Sequence, residues 1–227
     1  MNIVDLKPGH SVEGDDIAAF RSETKGQKYV YLLAGVHGDE VEGVYVLQQL
    51  VDWLKDNDDY QLPTIVVPIL NVDGYRAGTR VNAHGVDLNR NLPSTSWTDE
   101  AREPKYNPGA KALSEPENIF LEKLFSKFTP GIILTMHSWK PMVNYNGPCK
   151  DIAEILHKHN NYEVCDDIQG HPTPGSLGDY APEKYSSPVL TFECPIISET
   201  KALKDIWEES EAGFKEVMLS ENIKAYI

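Results

Sequence analysis

The chain alternates short apolar runs with stretches in which apolar residues recur every three or four positions. Residues 28–36 (KYVYLLAGV) form a nearly continuous apolar run, the pattern of a buried strand, and lead into a histidine. Residues 39–55 follow with Val44, Leu47, Val51 and Leu54 at helical spacing. Residues 64–70 (TIVVPIL) predict a second strand, in which Pro68 makes the interior imperfect or marks a bulge. Residues 71–106 are rich in Gly, Asn, Arg and Pro and show no clear period; such a segment in a compact domain is expected to be functional or disordered. Ser114-Glu115-Pro116-Glu117 combines a serine cap, an N3 glutamate and an early proline, which predicts a helix running through Ile119, Leu121, Leu124 and Phe128. Further strands are expected at 131–137 (GIILTMH) and 188–194 (PVLTFEC), and further helices at 152–159 and 202–218.

This alternation argues for a layered α/β fold, and 227 residues without an internal repeat suit a single domain over residues 1–227. Polar residues fall at the C-terminal ends of the apolar runs: His37 and Glu40, then His137, then Glu193. In open α/β sheets that edge is where ligands bind, so four residues distant in sequence are expected to share one crevice.

Charge narrows the partners. The formal net charge of −14 repels polyphosphate, so neither nucleic acid nor an anionic membrane is expected as a partner. No apolar run approaches the roughly 20 residues that span a bilayer. Residues 1–14 lack the apolar core of a signal peptide, and a cytoplasmic location is the expectation. Cys149, Cys165 and Cys194 are odd in number and widely spaced, which predicts reduced, mostly buried thiols.

A catalytic zinc takes three protein ligands, usually histidines with a carboxylate, and keeps one position open. His37-Gly38-Asp39-Glu40 offers a histidine and a carboxylate three residues apart, with a glycine that permits a tight turn, and His137 offers a third ligand. Alone, His-x-x-Glu is a weak signal that a capped helix start also produces, and His137 could equally be a core histidine bonded to backbone. Glu193 is harder to dismiss. A carboxylate in the run 189–194 should be buried, and burial without a partner is costly unless a cation stands nearby.

Val86-Asp87-Leu88-Asn89-Arg90-Asn91 adds a family. Taken with His37-x-x-Glu40, Asn71-Val72-Asp73-Gly74, His137-Ser138-Trp139 and Thr191-Phe192-Glu193, it resembles the M14 metallocarboxypeptidases, whose blocks occur in this order. Within them, residues 85–91, 114–117 and 172–178 are similar to the short bacterial murein peptide amidases. The resemblance implies a zinc carboxypeptidase-like fold, a mixed twisted sheet flanked by helices, with one Zn²⁺ per chain held by His37, Glu40 and His137. Glu193 would be the general base and Arg80 the stabiliser of the oxyanion. Asn89 and Arg90 would grip the substrate's terminal carboxylate, and Asp87 would orient a metal-bound histidine, His37. The digestive enzymes carry a mobile tyrosine upstream of the catalytic glutamate; here His171 stands near its place, which puts that tyrosine's role in doubt.

The implied substrate is a small peptide, L-Ala-γ-D-Glu-meso-diaminopimelate, cut during cell-wall recycling. Diaminopimelate carries a second zwitterionic end, for which Asp179 is the expected acidic partner. Alternatives are a general carboxypeptidase, with Leu177 at the pocket base favouring apolar ends, an N-acyl amino acid deacylase related to succinylglutamate desuccinylase, and an inactive zinc-binding or wall-fragment-binding module.

Overall fold

The protein is described by a computed structural model covering every residue except Gln169 and Glu199. The strands among the described residues are β1 (Ile3–Asp5), β2 (Gly9–His10), β3 (Asp16–Ile17), β4 (Phe20–Ser22), β5 (Tyr29–Ala34), β6 (Thr64–Val67), β7 (Pro130–Trp139), β8 (Met142–Asn146), β9 (Glu163–Cys165) and β10 (Val189–Pro195). The helices are α1 (Val41–Lys55), α2 (Val72–Ala77), α3 (Pro116–Lys127), α4 (Lys150–Asn160), α5 (Leu177–Tyr185), α6 (Leu203–Leu219) and α7 (Glu221–Lys224). Two short 3₁₀ turns, Leu88–Arg90 and Pro104–Tyr106, lie between α2 and α3.

Eight strands form one mixed sheet in the order β1-β4-β6-β5-β7-β10-β8-β9, and β2 pairs with β3 apart from it. The four inner strands β6, β5, β7 and β10 run parallel, while β4 and β8 join them antiparallel. Every residue of β5 is buried, as expected of a parallel strand covered on both faces. Its side chains alternate between two cores: Val30, Leu32 and Ala34 on the side of α1, α4 and α6, and Tyr29, Tyr31 and Leu33 on the side of α3 and α5. Among the described residues, no helix is long and apolar enough to cross a membrane.

The layered α/β reading and the apolar runs match the observed elements, with differences that have physical causes. Strand β6 stops at Val67, so Pro68 lies beyond the ladder rather than inside it, where its missing N–H costs nothing. The aperiodic stretch 71–106 is ordered by side chains: the Asn71 carboxamide accepts from Gly74 N at 2.9 Å to cap α2, and Gly78 ends that helix in the left-handed region. Helix α3 starts as expected, but the serine cap does not form. Glu115 occupies the cap position, Ser114 is bonded to Asn91 and Glu115, and the Glu117 carboxylate accepts from Asn82 Nδ2 at 3.1 Å and Val12 N at 3.3 Å. The short strands β1–β4, β8 and β9 were not visible in the sequence pattern, since two to five residues are too few to show a period.

Candidate active site

Three parallel-strand ends deliver the site. After β5 the chain passes through His37 and Gly38 to Glu40, which sits at the N-cap of α1. Glu40 makes no capping bond there; its carboxylate turns to the histidines, lying 2.7 Å from His37 Nδ1 (Oε1) and 2.7 Å from His137 Nδ1 (Oε2). The two Nδ1 atoms are 3.2 Å apart. Gly38 is needed for closeness rather than for turning: a Cβ there would fall 2.0 Å from the Gly74 carbonyl carbon. His37, Glu40 and His137 form a buried group whose ligand atoms all lie within 4.8 Å of one another.

Behind this group stands Asp87, fully buried. Its Oδ1 lies 3.1 Å from His37 Nε2 and accepts from Asn89 N at 2.9 Å; its Oδ2 accepts from Arg80 Nε at 3.1 Å and Nη2 at 2.9 Å. Burial alone would raise the Asp87 carboxyl, but His37, Arg80 and Arg90 outweigh it and hold the group far below the usual carboxylate range. Glu40 is likewise held down, burial being overcome by the two histidines. Arg80 is therefore no solvated loop arginine. Its loop is tied by Asn71 Nδ2, which donates to the Arg80 carbonyl at 3.2 Å, and its Nη1 reaches within 3.4 Å of Glu40.

Glu193 differs from its neighbours. Its Oε2 is enclosed and has no hydrogen-bond partner among the described residues, and the residue as a whole is half-buried at the wall of the cleft. Burial first, and Glu40 second, push its carboxyl up to about 7 against the opposing pull of His137, His37 and Arg80. Two imidazole nitrogens and a carboxylate converging on one point, beside an orphaned carboxylate oxygen, fit the N,N,O donor set of a catalytic zinc site with an open position.

These groups line a cleft of about 870 Å³. Asn89 lines the cleft, and its Oδ1 accepts from Leu177 N at 2.8 Å. Arg90 is buried, donates to its neighbour's carbonyl (Asn89 O) at 2.6 Å, and forms no ion pair with Asp87; burial pulls its guanidinium below the usual range. Asp179 lies in the first turn of α5 and accepts from Ser96 Oγ at 2.5 Å. His171 is exposed at the rim, edge-on to Trp139 with ring centroids 4.8 Å apart. Leu177 is placed elsewhere. Its side chain is buried in the core beneath α5 and does not face the cleft, because helix phase turns Gly178 and Asp179 there instead. Residues not singled out in the sequence also face the cleft, among them Glu42, whose Oε1 accepts from Ile197 N at 2.8 Å, Arg102 and Tyr106. Glu42 could be mistaken for an ordinary acid in a helix first turn, and Tyr106 sits where the sequence shows no period.

Residues 26–129 match the succinylglutamate desuccinylase/aspartoacylase catalytic domain, a span that holds His37, Glu40, Asp87, Asn89 and Arg90 but stops short of His137 and Glu193. Over 202 residues, 84% of the chain, it is 31% identical to murein peptide amidase A of Vibrio campbellii, of which it covers 79%. The chain belongs to the murein peptide amidase A family. Murein peptide amidase A of Escherichia coli K12 is 29% identical over 210 residues, 86% of this chain and 82% of that one. The family membership makes the protein a hydrolase of peptide or amide bonds. Its fold is that of the murein-tripeptide amidase from Escherichia coli O157 (TM-score 0.76, 24% identity, 96% of this chain and 92% of that one). It is equally that of carboxypeptidase A from Helicoverpa armigera (TM-score 0.77, 19% identity, 96% and 69%).

Proposed function

We propose that the protein is a zinc-dependent amidase that cuts the bond next to a terminal carboxylate and releases meso-diaminopimelate from L-Ala-γ-D-Glu-meso-diaminopimelate. The observation that carries the reading is the convergence of His37, Glu40 and His137 within 4.8 Å, beside the unpartnered Oε2 of Glu193. His37, Glu40 and His137 would hold the zinc, which when bound supplies Lewis acidity to an attacking water and to the scissile carbonyl. Glu193 takes the proton of the attacking water and passes it to the departing amine nitrogen. A carboxyl raised by burial suits both halves of that task. Arg80 offers its Nη1 corner to the developing oxyanion while Asp87 holds the rest of the guanidinium in place. Arg90 and the amide of Asn89 take the terminal carboxylate, and Asp87 fixes the ring of His37. Asp179 is the acid available to the distal ammonium of diaminopimelate.

The amidase activity of the relatives supports the substrate, and the test is mass spectrometry of the zinc-loaded protein with this tripeptide. Free diaminopimelate is the expected product. A second reading, an N-acyl amino acid deacylase, draws on the match over residues 26–129 and on 41% identity over 63 residues to N-alpha-acetyl-L-2,4-diaminobutyric acid deacetylase of Halomonas elongata. That relative is matched over only 18% of its length. Turnover of N-succinyl or N-acetyl amino acids with the tripeptide left intact would establish the second reading over the first.

A further inference from the structure

The cations of the cleft come from one stretch of chain and surround one ring. The guanidinium carbons of Arg80, Arg90 and Arg102 lie 5.2, 5.3 and 4.3 Å from the centroid of Tyr106, and Lys105 Nζ lies 5.0 Å from it. All four cationic residues and Tyr106 line the cleft.

What separates them is how each charge is answered. Arg80 pairs with Asp87, and Lys105 pairs with Glu103. Of the four, Arg90 and Arg102 form no ion pair among the described residues. Arg102 is held by the face of Tyr106 and by one long bond, Nη1 to the Gly170 carbonyl at 3.3 Å, with Nη2 at 3.4 Å from His171 Nδ1. Stacking on an aromatic ring fixes the plane of a guanidinium and leaves its edge donors free, the presentation that suits a carboxylate. Arg90 already answers one carboxylate of the substrate. The same ring holds a second guanidinium, without an ion-pair partner among the described residues, at the wall of the same cleft.

We infer that Arg102, stacked on Tyr106, binds a second carboxylate of the substrate, so that the cleft selects peptides carrying two anionic groups around the scissile bond. The inference rests on the amidase reading and deepens it. In L-Ala-γ-D-Glu-meso-diaminopimelate, with the terminal carboxylate taken by Arg90, two further carboxylates remain. One is the free α-carboxylate of the γ-linked glutamyl residue, on the acyl side, and the other is the distal carboxylate of diaminopimelate. Neither exists in an ordinary α-linked peptide ending in a neutral residue.

The test compares wild type, Arg102→Gln and Arg102→Lys, all zinc-loaded, on three substrates. These are the tripeptide, its analogue with D-isoglutamine in place of D-glutamate, and its analogue with L-lysine in place of diaminopimelate. On the tripeptide, R102Q should lower kcat/KM by about 10–100-fold, mostly through KM, the effect expected from one charge-assisted pair, with R102K in between. On the analogue that lacks the carboxylate read by Arg102, the R102Q penalty should shrink below about threefold; which analogue does so identifies the carboxylate. Arg102 is exposed, and unchanged melting temperatures would show that folding is intact. An equal penalty on all three substrates, or none on the tripeptide, overturns the inference and leaves the amidase reading standing. Failure of the wild type to release diaminopimelate from the tripeptide overturns both.

Discussion

Glu193 and His137 are register partners on neighbouring parallel strands, β10 and β7. Partners at one level of a parallel pair project to the same face of the sheet, so backbone pairing itself sets the enclosed carboxylate beside the imidazole. A site placed by strands is held more tightly than one placed by loops. Glu193→Gln keeps the shape and removes the proton acceptor, so kcat should fall by about 10²–10⁴-fold. Zinc content, read by elemental analysis, should not change. Loss of zinc in step with activity would make Glu193 a ligand instead of a base.

Asp87 joins three functions through two oxygens: it touches His37, Arg80 and the backbone of Asn89. Asp87→Asn retains the size and loses the charge that steadies His37. Zinc affinity, measured by competition with a chromophoric chelator, should drop about 10–100-fold. Unaltered affinity would mean that packing alone orients the ring.

How far the sequence disclosed this site follows from where each residue lies. His37, His137 and Glu193 terminate or interrupt long apolar runs, so their chemistry stands out against a buried strand. Asp87, Asn89 and Arg90 lie in an aperiodic loop, where only the resemblance of 86–91 marked them; the 3₁₀ turn that aims them depends on bonds to residues far along the chain. Leu177 was misplaced because α5 is nine residues long with Pro182 inside it, too short for periodicity to tell which of its first residues face inward. The cap at Ser114 failed for a similar reason: Asn82, more than thirty residues upstream, claims the Glu117 carboxylate. Arg102 and Tyr106 gave no signal at all, since an arginine in a polar loop resembles any solvated charge until the ring beside it is seen.

Arg90 presents its fork without an acidic partner, buried and held at 2.6 Å to the Asn89 carbonyl. A lysine there keeps the charge but cannot bind a carboxylate through two parallel bonds. Arg90→Lys should lower kcat/KM by about 10–100-fold, chiefly by raising KM, because the lost contact holds ground state and transition state alike. Steady-state kinetics on the tripeptide decide this, and a fall confined to kcat would place Arg90 at the reacting carbonyl rather than at the terminal carboxylate.

Helix α5 brings Gly178 and Asp179 to the cleft, and its far end is tied to α3 by a single carboxylate. Glu122 accepts from Tyr180 Oη at 2.6 Å, Lys184 Nζ at 2.6 Å and Tyr185 Oη at 2.7 Å. Partial burial pushes the Glu122 carboxyl up, but these three donors prevail and leave it below its ordinary value. A group depressed in the folded state stabilises above its unfolded pKa, near 4.3, and loses that contribution as pH falls through the folded value. Glu122→Gln should therefore cost on the order of 1–2 kcal/mol at pH 7, the scale of hydrogen bonds to a charged acceptor at a partly exposed position. Urea denaturation at a series of pH values should show the gap between wild type and variant closing as the pH falls below the unfolded value, near 4.3, and on through the depressed folded value. A gap that stays constant from pH 7 to pH 3 would assign the loss to packing, and the charge of Glu122 would then have no part in seating α5 against α3.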